Sequence, residues 1–83
     1  MTNHEKIREI LCSSDWTEGE KEVVKWQFGM LGGFKNTLWN AICTADEDNL
    51  ERISRGFPTE VEGYTAWTTG NLAYRLREAG LLI

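Results

Sequence analysis

How this chain folds turns on Gly29-Met30-Leu31-Gly32-Gly33, set between Val23-Val24-Lys25-Trp26-Gln27-Phe28 and Phe34-Lys35-Asn36-Thr37-Leu38-Trp39. Each glycine inside a helix costs about 1 kcal/mol relative to alanine, so by propensity the chain breaks at Gly32-Gly33. Against that, Trp26, Met30, Phe34, Leu38 and Ile42 recur every four residues straight through the glycines, as one continuous apolar stripe would. Followed through, the stripe predicts a single long helix from about Glu18 to Ala45, bent at the glycines. Gly29 and Gly33 would then lie one turn apart and admit another backbone closely, as small residues do where membrane helices pair.

Capping signals organise the rest of the chain. Thr2 and Glu5 have capping-box spacing before Ile7, Ile10 and Leu11, which predicts a short amphipathic helix ending near Cys12-Ser13-Ser14. Thr17 and Glu20 repeat the box, and Glu18, Glu20 and Glu22 place negative charge at the start of the next helix, where its dipole favours it. Asp46 is a candidate N-cap for a helix carrying Leu50 and Ile53, and Gly56-Phe57-Pro58 supplies its stop. Thr59 and Glu62 predict a further box ahead of Val61, Tyr64 and Trp67. After Thr68-Thr69-Gly70-Asn71, a last helix runs through Leu72, Ala73, Leu76 and Ala79 and stops at Gly80. The expected fold class is therefore all-α, a compact single-domain bundle of four to six helices including one long helix. Only a short stretch such as Leu81-Leu82-Ile83 is a candidate strand.

At 83 residues there is room for one domain, and a chain of this size buries only roughly 60% of its unfolded surface, so pairing with another copy would add core. A homo-oligomer is expected on that ground. The formal net charge of −4 opposes attraction to phosphates and argues against duplex DNA as a partner. No apolar run approaches the roughly 20 residues of a membrane span, and the polar start Met1-Thr2-Asn3-His4-Glu5 lacks the basic and apolar regions of a signal peptide, so a cytoplasmic setting is expected. Cys12 and Cys43 are then read as buried free thiols.

The chemistry-bearing residues are sparse. His4 is the sole histidine and lies in the N-terminal turn; with no base or nucleophile spaced to serve it, an enzyme is not expected. Three or four suitably spaced metal ligands are lacking, and neither a phosphate-binding G-x-x-x-x-G-K-[ST] loop nor a G-x-G-x-x-G turn occurs, so no metal or cofactor is expected. The four tryptophans, Trp16, Trp26, Trp39 and Trp67, fit either a core or a surface that meets a partner. On the predicted long helix Lys35, Asn36, Trp39, Asn40 and Cys43 share one side. A tryptophan plane beside a cation and two amides has the chemistry to stack on and hydrogen-bond a nucleobase, although a solvated helix face explains the same pattern. Arg52 and Arg55 lie three residues apart on one face, and Arg75 and Arg77 form a second basic pair. Converging, they would clamp a phosphate; separately, they are ordinary ion-pair partners for Glu51, Glu62 and Glu78.

Gly33-Phe34, Leu38-Trp39, Ala41-Ile42, Ala45-Asp46, Asn49-Leu50, Gly56-Phe57-Pro58, Glu60-Val61, Tyr64 and Trp67 together resemble small uncharacterised proteins of tailed phages and prophages. The likeness spans about half the chain and consists of core and cap residues, so it implies a setting and carries no site residues with it. Small accessory proteins in such genomes often block host immunity, and three functions are carried as expectations. First is sequestration of a nucleotide-derived immune messenger, with Lys35, Asn36, Trp39, Asn40, Arg52, Arg55 and Arg75 as ligand-binding residues. Second is direct inhibition of a host defence protein by a helical face. Third is a structural or assembly role in the virion.

Overall fold

The helices begin where short-range capping chemistry can act. In the computed structural model, which describes residues 2–81, six helices follow one another: α1 (Asn3–Cys12), α2 (Glu18–Gln27), α3 (Gly33–Thr44), α4 (Glu47–Gly56), α5 (Pro58–Thr68) and α6 (Leu72–Glu78). The Thr2 hydroxyl caps α1 by accepting from the Glu5 N–H at 3.2 Å. At α2 the box closes in both directions: the Glu20 N–H donates to Thr17 Oγ1 at 3.1 Å and the Thr17 N–H donates to Glu20 Oε1 at 2.8 Å. Asp46 caps α4 through the Asn49 N–H at 2.8 Å. The box expected at Thr59 and Glu62 does not form. Pro58 opens α5 instead, because a residue without an N–H fits the first helical position, and Thr59 falls inside the first turn.

The single long helix from Glu18 to Ala45 is not what forms. α2 stops at Gln27 because Gly29 takes a left-handed conformation, with φ of +67°. The Met30 N–H then donates back to the Lys25 carbonyl at 2.8 Å and the Gly29 N–H to that of Trp26 at 3.3 Å. These two bonds make a Schellman cap, which satisfies carbonyls that the helix end would otherwise leave without donors. The chain reverses through Met30 and Leu31, and α3 starts afresh from Gly32. On a continuous helix the indoles of Trp26 and Trp39, 13 residues apart, would be separated by about 20 Å; here their ring centroids are 4.7 Å apart and nearly parallel, at 12°. The stripe that suggested continuity is correspondingly split. Leu38 and Ile42 are buried, whereas Met30 is 49% and Phe34 66% exposed.

The close backbone approach expected at Gly29 and Gly33 occurs elsewhere, since a Cβ at either would meet nothing within 4 Å. It is Gly19 in the first turn of α2 and Gly63 in the middle of α5 that touch. A Cβ on Gly19 would stand 2.8 Å from both the Gly63 nitrogen and the Thr59 carbonyl oxygen. With no side chain between them, α2 and α5 press together and carry the main core: Ile7 and Ile10 from α1, Val23 and Val24 from α2, Trp39 from α3, and Leu72, Leu76 and Leu81 at the C-terminal end. Trp67 meets Trp26 edge-on at 6.3 Å. Burial of large apolar side chains, each stabilising by about 1.5–3 kcal/mol, holds this arrangement together.

Cys12 and Cys43, expected inside, are both exposed free thiols: Cys12 is the last residue of α1, and Cys43 lies on α3 beside the buried Ile42 but outside the face formed by Leu38, Trp39 and Ile42. No strand occurs among the described residues. Leu81 is buried, and the remainder of the candidate strand, Leu82 and Ile83, lies outside the described residues. Among the described residues no helix is long and apolar enough to cross a membrane.

Candidate functional site

The Schellman turn that ends α2 leaves Met30 beside α1. Ile7 and Leu11 of α1 are one turn apart on the side facing it, and His4, Arg8 and Cys12 follow the same helical spacing along the rim. Together these six residues enclose a shallow groove of about 200 Å³, with an apolar floor. Its charged rim is unbalanced. On α1 the Glu9 carboxylate bonds Lys6 Nζ at 3.5 Å and Glu5 accepts from the Thr2 hydroxyl at 3.2 Å, while Arg8 has no ion-pair partner among the described residues. The result is an apolar slot lined along one side by an unpaired guanidinium and an imidazole.

The residues expected to bind a ligand are placed differently, and most are engaged inside the protein. Trp39 is fully buried, with one face stacked on Trp26, so its plane is not offered to a base. Among the described residues, its indole nitrogen and Glu22 Oε2 are buried side-chain polar atoms without a hydrogen-bond partner. Lys35 reaches across from α3 to two carboxylates, Glu60 on α5 at 2.5 Å and Glu22 on α2 at 3.3 Å. The hydrogen bond to Glu60 holds the lysine ammonium above its ordinary value, against the opposing effect of desolvation. Asn36 lies at the surface and donates to the Leu31 carbonyl at 3.4 Å, bracing the turn, and Asn40 is exposed.

The arginines do not converge. Arg75 of α6 pairs with Glu20 Oε2 and sits 4.9 Å over the Trp16 ring. Glu20 thereby caps α2 with one oxygen and ties α6 down with the other. Arg55 bonds Glu51 of its own helix at 2.9 Å. Arg52 lines a second shallow groove, of about 330 Å³, with Ala41, Thr44, Ala45, Asn49 and Ile53. Among the described residues no group of three or more His, Cys, Asp or Glu could hold a metal ion.

The α1 groove as a whole is not legible in the sequence: Arg8 carries no motif, His4 reads as a candidate for catalysis or metal binding that lacks partners, and Met30 falls on the apolar stripe. The signal was present in the i, i+4, i+8 spacing of His4, Arg8 and Cys12, but Met30 joins them only through a turn that the stripe argued against. Comparison with known protein families, with curated proteins and with solved structures finds no match to this chain. The groove must therefore be read from its own geometry.

Proposed function

We propose that this chain is a non-enzymatic protein-binding module that engages its partner at the α1 groove. One observation carries the reading: Met30, a large apolar side chain 49% exposed, is fixed by the Gly29 cap against Ile7 and Leu11 rather than turned into the core. A backbone already fixed by the cap has no loop to order on docking, which favours affinity. The likeness to small phage and prophage proteins supplies the setting, in which the module works in the host cytoplasm and covers a surface of a defence protein.

Sequestration of a nucleotide-derived messenger is the second reading. It keeps one supporting observation, Arg52, which has no ion-pair partner among the described residues and lies beside Asn49 in the groove between the C-terminal end of α3 and α4. Lys35, Trp39 and Arg75 support it less, because each is already engaged within the fold. Self-association stands as a further proposal. The accessible surface of 5249 Å² is already close to the roughly 5,000 Å² of a folded monomer of this mass, so a dimer would add an interface rather than complete the core.

Photo-crosslinking tests the first reading. With a photoreactive residue replacing Met30 in cells that express the chain, the expected product is an adduct with one host protein, absent when the same group replaces Tyr74, which is also exposed. Equal adducts from both positions would contradict it. A purified chain that retains a ligand with nucleotide absorbance, and loses it on Arg52→Glu, would move the assignment to the second reading.

A further inference from the structure

Resting on the protein-binding reading, the chemistry of the groove narrows what can fill it. An apolar cavity of roughly 150 Å³ holds a benzene ring. At about 200 Å³ the α1 groove therefore takes one large apolar side chain and not two. Whatever delivers that side chain must also face Arg8 and His4, which lie one helical turn apart on the rim, about 6 Å along the axis. No carboxylate lines the groove: Glu9 is bonded to Lys6, and Glu5, which accepts from the uncharged Thr2 hydroxyl, is not among the lining residues. Arg8 is thus the formally charged side chain that lines the groove, and a partner placing positive charge beside it would be repelled.

We infer that the α1 groove binds an acidic amphipathic segment of a partner protein, seating one leucine or phenylalanine between Ile7, Leu11 and Met30 while flanking carboxylates bond Arg8 and, when it is protonated, His4. Charge complementarity selects this occupant over a neutral apolar peptide, which would leave the guanidinium without a partner. Arginine suits the role because its planar fork accepts a carboxylate through two parallel hydrogen bonds. Apolar contact supplies affinity and the rim supplies orientation and choice of partner.

The test uses the full chain and three fluorescent peptides of equal length: one with a central Leu flanked by Glu, one with that Leu replaced by Ser, and one with the Glu residues replaced by Lys. Fluorescence anisotropy should show the acidic Leu peptide binding at least about tenfold more tightly than the Ser peptide, as burial of one apolar side chain implies. It should also bind more tightly than the Lys peptide, by a margin that shrinks as salt is raised. In the Arg8→Glu chain the preference should reverse toward the Lys peptide, with the circular dichroism spectrum unchanged; reversal cannot come from a folding defect. Equal binding of acidic and basic peptides, no binding of the acidic peptide at millimolar concentration, or an unchanged preference in Arg8→Glu would each overturn the inference. If the Met30 cross-link to a host protein persists in any of those cases, the binding-module reading survives and only the acidic chemistry fails. If the cross-linked product is instead a dimer of the chain, a second copy occupies the groove and both fail.

Discussion

Two helices of this protein end in the same turn and send the next apolar residue to opposite destinations. At the end of α6, Gly80 adopts φ of +101°, the Leu81 N–H returns to the Leu76 carbonyl at 3.0 Å, and the Gly80 N–H returns to that of Arg77 at 2.9 Å. At the end of α2 the corresponding bonds run from Met30 to Lys25 and from Gly29 to Trp26. The backbone chemistry is shared, yet Leu81 is 1% exposed and packs in the core, while Met30 is 49% exposed at the groove. A Schellman turn thus stops a helix without deciding what becomes of the side chain beyond it. That is decided by which elements stand opposite: at Gly80 the core takes in Leu81, whereas at Gly29 α1 leaves a slot open to solvent. The same rigid device builds stability at one end and a preorganised surface at the other.

Four substitutions break or sharpen this contrast. Leu81→Ala removes a fully packed side chain and should lower stability by about 3 kcal/mol, as large-to-small core changes do; a thermal melt should show a midpoint lower by roughly 15 °C. A loss under about 1 kcal/mol would mean that Leu81 is not held in the core. Gly80→Ala should cost about 2 kcal/mol in urea unfolding, since its φ lies where side chains are strained; the nearby Lys6 Cε at 3.0 Å is the flexible part of a side chain and can move. Gly29→Ala should cost about 1 kcal/mol, because only backbone strain opposes it and no neighbour lies within 4 Å. If it were neutral or stabilising, the left-handed cap at Gly29 would be in doubt. Met30→Ser should change stability by less than about 0.5 kcal/mol, as surface changes do, yet weaken binding of the acidic peptide about tenfold. Loss of stability comparable to Leu81→Ala would place Met30 inside the protein.

What the sequence discloses and what it hides differ by range. Caps are legible because the chemistry closes within three residues: Thr2, Thr17 and Asp46 each start the helix that their spacing promises. Gly80 is legible as a stop because no apolar period runs past it. At Gly29 an every-four pattern competes with the glycine signal, and the pattern is coincidental. Read alone, α3 has its own buried face in Leu38, Trp39 and Ile42 at spacings of one and three, which would have placed Trp39 inward. The face that grouped Lys35, Asn36, Trp39 and Asn40 as a ligand surface was drawn on a continuous helix, so the turn reassigned it. Contacts that join distant positions, Gly19 with Gly63, Lys35 with Glu60, and Arg75 with Glu20, have no local signal.

The reversal of the chain at Gly29 underlies the stacked tryptophans and the exposed Met30 alike, and nuclear Overhauser contacts between the Trp26 and Trp39 indole protons report on it directly. Strong cross-peaks between the two rings are predicted, because their centroids are 4.7 Å apart. Absence of those cross-peaks, together with unbroken helical contacts from Phe28 through Gly33, would mean that the helix continues and that the groove at Met30 does not exist.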